Sequence, residues 1–176
     1  KIFTGLSLND QKAAQESVRQ HLERLEKENK KILSLKQKGQ TLEGAFISAD
    51  NQTGLITAIV GGRSYKLTQF NRAIDGHRQV GSIMKPFVYL TALMQSDKYN
   101  PSTILHDTPF THKYQNQSWS PENYGKKYFG DVPMFFALKS SLNAATASLG
   151  IEIGIDKIIE TAKTLGLTSD LPNIPS

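Results

Sequence analysis

The sequence has no cysteine in its 176 residues. That excludes disulfide staples, thiolate nucleophiles and cysteine metal sites together. Its four histidines, His21, His77, His106 and His112, form neither an HxH nor an HxxxH pair, so no local metal-ligand spacing is written. No apolar run approaches the roughly 20 residues that a membrane-spanning helix needs. A glycine-rich phosphate loop is also missing: VGGRS follows a strand-like run, but without the GxxxxGK[ST] spacing. No signal-like hydrophobic segment opens the chain, which starts without Met and ends on LPNIPS. These features read as a piece of a longer protein, with any anchor or export signal upstream.

What is there is the composition of an ordinary globular chain, 38% hydrophobic and 21% charged. The net charge of +5 is uneven, because residues 19–38 carry seven Lys or Arg against three Glu. An anionic partner would exploit such a patch. The stretch has no interleaved aromatics for base stacking and no RNA-module pattern, so it reads as a solvated helix face and linker, with no nucleic-acid partner.

Hydrophobic periodicity places the elements. In LSLNDQKAAQESVRQHLERLE, Ala14, Val18, Leu22 and Leu25 make one helical stripe, capped by Ser7 or Asn9 and ended by KQKGQTLE. GAFISAD and GLITAIVGG, joined by NQT, read as a hairpin whose second strand is apolar on both faces and so covered by helices. A helix opens at Gly81-Ser82 and runs to about Ser96. Residues 99–131 read as one long irregular stretch, of a length that is usually functional or wrongly assigned. Asp131 is the expected cap of a helix through MFFALKSS, SLNAATASLGIEIG follows a polar break, and Asp156 and Gly166 bound a last helix. The order predicts an α+β fold, with helices packed on an antiparallel sheet.

The chemistry-bearing stretch is RQVGSIMKPFVYL, residues 78–90. Residues three apart are neighbours on a helix, so Ser82 and Lys85 share a face. A serine hydroxyl becomes a nucleophile when a neighbouring base takes its proton. The positive end of a helix and apolar surroundings both favour the neutral amine that could serve. Backbone N–H groups at such a helix start can also stabilise an oxyanion. Taken alone, Ser82 is equally a helix cap and Lys85 a solvated side chain. Ser141-Leu142-Asn143, at the break between two helices, adds a hydroxyl and a carboxamide suited to proton relay and carbonyl binding. It too is ordinary capping chemistry when read alone.

Together the segments resemble the transpeptidase domain of the class A penicillin-binding proteins, the bifunctional peptidoglycan synthases. Ser-x-x-Lys and Ser-x-Asn belong to the wider group of penicillin-recognising serine enzymes. NRAIDGHRQVGSIMKPFVYLTAL resembles the family's nucleophile segment. SWSPENYGKKYFGDVPMFFALKSSLNAAT resembles its W-x-P-x-N-Y loop and second motif. The hairpin and LSLNDQKAAQESV resemble the segments that precede them. The family's third motif, Lys-(Thr/Ser)-Gly, is absent, since AKTLG at 162–166 lacks the adjacent glycine.

The resemblance implies an incomplete penicillin-binding protein/β-lactamase-like fold, with residues 1–42 a helical linker and 43–176 the N-terminal part of the domain. It implies Ser82 as the acylated nucleophile, Lys85 as its general base, Ser141 as proton shuttle and Asn143 as a holder of the donor peptide. Trp119 and Asn123 would line or brace the cleft. The implied reaction cross-links peptidoglycan stem peptides through a serine acyl-enzyme, with β-lactams trapped at the same serine. No metal or organic cofactor is implied. The partners would be stem peptides, β-lactams, the downstream part of the same domain, an upstream glycosyltransferase domain and a membrane anchor. The place would be the bacterial cell envelope, on the outer face of the cytoplasmic membrane. A β-lactamase or penicillin-sensing receptor shares the first two motifs, and a non-catalytic wall-binding scaffold could keep the fold. The W-x-P-x-N-Y loop and the helix before the hairpin count against the first two of these.

Overall fold

A computed structural model describes residues 3–174, so the last two residues of LPNIPS lie outside the described residues. The chain forms two compact units, Lys1–Gln79 and Val80–Ser176. In the first unit, α1 spans Leu8–Glu28, and the Ser7 hydroxyl caps it by accepting the Asp10 N–H at 3.3 Å. Ala14 and Leu22 of the predicted stripe are buried. Ala14 packs with Ala58 and Val60, and Val18 closes that small core. The expected single helix is in fact two. Asn29 breaks from helical geometry, and its side-chain oxygen accepts the N–H groups of Lys31 and Ile32, starting α2 at Lys30–Gln37.

The hairpin forms as expected, β1 (Phe46–Ala49) antiparallel to β2 (Ile56–Val60). Its outer edge is held by side-chain mimicry of a strand. The Gln11 amide donates to the Ile59 carbonyl at 2.9 Å and accepts the Ile59 N–H at 2.9 Å, so a potentially sticky edge is occupied. Coverage is less complete than the two-faced apolar pattern predicts. Ala58 and Val60 are buried, while Phe46, Ile47 and Ile56 stay exposed.

The second unit opens with a left-handed Gly81 (φ 54°) and a 3₁₀ turn, Gly81–Met84, which passes directly into α3, Lys85–Leu93. Pro86 sits in the first turn of α3, where its missing N–H costs nothing. Residues 99–131, expected to be irregular throughout, hold three short strands and the start of a fourth between turns. β3 (Ile104–Asp107) pairs with β6 (Gly130–Pro133), and β4 (His112–Tyr114) with β5 (Gln117–Trp119). The runs are three or four residues long, too short for alternation to show above the surrounding turn residues. Asp131 is correspondingly a strand residue opposite His106, and its carboxylate contacts the His106 ring at 2.5 Å. Pro133, not Asp131, precedes α4 (Met134–Lys139).

α5 (Asn143–Ile153) is the central element. Ala144, Ala145, Thr146, Leu149, Gly150 and Ile153 are all buried, and only the face with Ser148 and Glu152 is left exposed, as for a helix with neighbours on several sides. Its partners are α3, α4, β3 and α6 (Ile155–Thr164). Gly154, at φ 99°, makes the sharp junction into α6, so Asp156 lies in the first turn and not at the cap. One cluster, including Tyr89, Leu105, Met134, Leu149 and Ile158, forms the core of this unit. The fold is α+β, with three two-stranded antiparallel sheets among the described residues in place of a single sheet. Among these residues no helix is long and apolar enough to cross a membrane.

Candidate active site

Ser82, Lys85, Ser141 and Asn143 come together in the second unit. Ser82 and Lys85 are delivered by the 3₁₀ turn and the first residue of α3. Ser141 and Asn143 come from the junction between α4 and α5, where Ser141 takes a left-handed φ of 53°. A non-glycine residue in that region is strained, and such strain persists where the surroundings hold it. Here the holding contact is plain. The Lys85 ammonium donates to the Ser141 carbonyl at 2.6 Å, to the Ser141 hydroxyl at 3.0 Å and to Asn143 Oδ1 at 2.6 Å. An ammonium has three N–H donors, and all three are used.

The sequence places Ser82 and Lys85 on one helical face; the structure joins them through a third residue. The Ser141 hydroxyl donates to Ser82 Oγ at 3.3 Å, so Ser82, Ser141 and Lys85 form a chain, with Ser82 at its exposed end and Lys85 buried. Lys85 is 8% exposed and has no carboxylate among its partners. Burial pushes its amine below the usual lysine value of 10.5, because desolvation penalises the charged form.

Asn143 is itself fixed on both sides. Its Nδ2 donates to the Glu122 carbonyl at 2.7 Å, while its backbone N–H and that of Ala144 donate to Asn123 Oδ1 at 2.6 and 3.0 Å. Asn123 is buried, and its amide nitrogen donates to both oxygens of Asp107 and to the Lys127 carbonyl. Trp119, half-buried on β5, pairs with His112, and none of the cluster's hydrogen bonds reaches it. Asp107 was not singled out in the sequence. Its signal is a carboxylate at the inward position of a strand, in ILHD, hidden inside a stretch that reads as irregular. Lys163 and Thr164 of AKTLG lie in α6, as helix and not strand. Among the described residues no three His, Asp or Glu are grouped to hold a metal ion.

Comparison with known proteins bears on this cluster. The family model described as penicillin binding protein transpeptidase domain matches residues 44–173. Penicillin-binding protein 1B of Vibrio cholerae is 38% identical over 171 residues, covering 97% of this chain and 21% of the relative. Penicillin-binding protein 1B of Haemophilus influenzae is 36% identical over 178 residues, covering 100% of this chain and 22% of the relative. The chain thus spans about a fifth of the length of the curated relatives it matches. Among solved structures, penicillin-binding protein 1A from Haemophilus influenzae superposes with a TM-score of 0.66 at 34% identity, over 70% of this chain and 18% of that one. An imipenem acyl-enzyme complex of penicillin-binding protein A from M. tuberculosis superposes with a TM-score of 0.70, over 94% of this chain and 40% of that one; at 22% identity it speaks to the fold alone.

Proposed function

The chain belongs to the penicillin-binding protein transpeptidase family, and from that premise we propose that it carries the acylation half of a serine DD-transpeptidase site. The observation that carries the reading is the hydrogen-bonded chain from exposed Ser82 through Ser141 to the buried amine of Lys85. Deprotonating Lys85 would turn that chain round. Its lone pair would accept from the Ser141 hydroxyl, which would in turn accept from Ser82, and Ser82 Oγ would become the nucleophile.

In the proposed reaction, Ser82 Oγ attacks the carbonyl between the two terminal D-alanines of a peptidoglycan stem peptide. Its proton passes by way of Ser141 to Lys85. The tetrahedral adduct collapses, the carbon–nitrogen bond breaks, and the departing D-alanine amine takes the proton back through Ser141. An ester on Ser82 remains. The amine of a second stem peptide attacks that ester, forming the cross-link and returning the proton to Ser82. Asn143, anchored by Lys85 and Glu122, would hold the donor peptide beside the nucleophile. A β-lactam would acylate Ser82 as its ring C–N bond breaks, and the expelled amine, still tethered to the acyl group, would stay in the site in the way of the incoming amine.

The length of the relatives supports the rest of the reading. Residues 1–42 would be the helical linker into the domain and 43–176 its N-terminal part. The strand with the Lys-(Thr/Ser)-Gly motif, a glycosyltransferase domain and a membrane anchor would lie outside this sequence. The substrate polymer would place the chain on the outer face of the cytoplasmic membrane of a bacterium. Intact mass after incubation with a penicillin tests the proposal. In the chain extended to the length of its relatives, one drug mass should be gained at Ser82 and lost in Ser82→Ala at an unchanged melting temperature. Labelling that survives Ser82→Ala would overturn the nucleophile assignment, and rapid hydrolytic turnover of the drug would favour a β-lactamase.

A further inference from the structure

Helix α5 begins without a cap of its own. The residue at its N-cap position is Leu142, which offers no side-chain acceptor. The opening N–H groups of a helix have no intrahelical partner, yet those of Asn143, Ala144 and Ala145 are all satisfied here from outside the helix. Asn123 Oδ1 accepts the first two, and Asp107 Oδ1 accepts the third at 3.4 Å.

Asp107 is the base of this arrangement. It ends β3, is wholly buried, and has no cation among its partners. Its oxygens accept from the Asn123 amide at 2.9 and 2.8 Å and from the Phe129 N–H at 2.9 Å. A buried carboxylate with N–H donors alone is costly unless its geometry is well satisfied. The position therefore calls for a reason beyond packing. The contacts run onward without a gap: Asp107 orients the Asn123 amide, Asn123 holds the start of α5, and Asn143 at that start accepts from Lys85.

We propose that Asp107 is a positioning residue for acyl transfer, fixing the start of α5 through Asn123 so that Asn143 and Ser141 hold the Lys85 amine in line with Ser82. The inference rests on the acyl-transfer reading of Ser82. Its physical basis is that small misplacements of a catalytic group are costly, about a hundredfold in rate for roughly 1 Å. Asp107→Asn keeps the shape but turns an N–H group toward the Asn123 N–H, so one link of the chain becomes repulsive. Asn123→Ala removes the same link from the other side.

The test uses the chain extended to the length of its relatives, with two readouts. The first is the rate of acylation by a fluorescent penicillin at saturating drug. Asp107→Asn and Asn123→Ala should each slow it about a hundredfold, while the drug concentration giving half the maximal rate changes little. Thr91→Val loses a buried hydrogen bond to Thr161, six residues along α3 from Lys85 and outside the cluster's hydrogen bonds, and should acylate at the wild-type rate. The second readout needs no drug: amide hydrogen exchange at Asn143 and Ala144 should quicken about tenfold in either variant. Wild-type rates in both variants would overturn the proposal, as would equal slowing in Thr91→Val, which marks a merely structural role. A wild-type protein that never labels would overturn the acylation reading instead. Unchanged exchange at Asn143 and Ala144 would then still refute the strut, and quickened exchange would uphold it.

Discussion

Two buried charges of opposite sign are held in opposite ways. In the first unit Glu26, 2% exposed, meets two cations: Arg63 at 2.5 and 3.1 Å through two nitrogens, and Lys36 at 2.9 Å. In the second unit Lys85, 8% exposed, meets only neutral oxygens. The hydrogen bonds from Arg63, then from Lys36, pull the Glu26 carboxyl down to about 2 against the cost of burial. Nothing of the kind opposes desolvation at Lys85, whose amine is pushed down instead. A buried charge with counter-charges is locked in its ionised form and serves structure. One satisfied by neutral acceptors keeps both protonation states within reach, which is what a base requires.

Breaking the second arrangement should have the larger effect. Lys85→Met fills a similar volume without the amine. Acylation at Ser82 should fall about a thousandfold, within the usual span for a general base. Thermal stability should change little, since the gain from removing a buried charge without a counter-ion is offset by the Ser141 and Asn143 oxygens left without their donor. A melting midpoint that drops sharply in Lys85→Met would show that the ammonium is structural after all.

The first arrangement should break the other way. Glu26→Gln leaves Arg63 and Lys36 without their carboxylate, and urea unfolding should report a loss of about 3 kcal/mol. Acylation at saturating drug should stay at the wild-type rate wherever the protein remains folded. Acid provides the same test without mutation. The folded-state pKa of Glu26 is depressed, so its contribution is fully present above the unfolded value near 4.5 and is lost as pH falls toward about 2. The acid-induced loss should shrink in Glu26→Gln, and an identical acid profile would contradict the assignment.

The comparison also shows what could be read from residue order and what could not. Helix α1 was legible from its apolar stripe, its Ser7 cap from a hydroxyl just ahead of that stripe, the hairpin from two apolar runs around a turn signal, and α5 from an apolar run after a polar break. The four residues of the Ser82 cluster stood out through the family resemblance of two short motifs, with residues three apart in one and two apart in the other, since each motif alone reads equally as a helix cap. The way they connect was not. A helical face predicts Ser82 beside Lys85, whereas the left-handed Ser141 turns its hydroxyl between them. Long-range partners were equally hidden. Nothing near Glu26 in the chain announces Arg63, 37 positions on, and nothing near Asn143 announces Asp107. The short strands of residues 99–131 fail for a related reason, since pairs such as Leu105 with Val132 are made by neighbours in space alone.

Ser141 sharpens the comparison at its smallest scale. Ser141→Gly removes the relay hydroxyl while relieving the left-handed φ, so stability should rise by about 1 kcal/mol. Acylation should still fall, by about a hundredfold, if protons travel through Ser141. Ser141→Ala should show the same rate loss without the gain in stability. A Ser141→Gly protein that acylates normally would mean that Lys85 reaches Ser82 without an intermediary.

The most direct test of the central claim is the pH dependence of acylation at Ser82, followed by intact mass with a penicillin at saturating concentration. An amine that acts as the base must be neutral, so the rate should climb with pH along a single limb. The midpoint of that limb should lie below 10.5, in line with the depressed amine of Lys85, and the limb should vanish in Lys85→Met. A rate that stays flat from acid to alkali, or a midpoint at or above 10.5, would contradict the account.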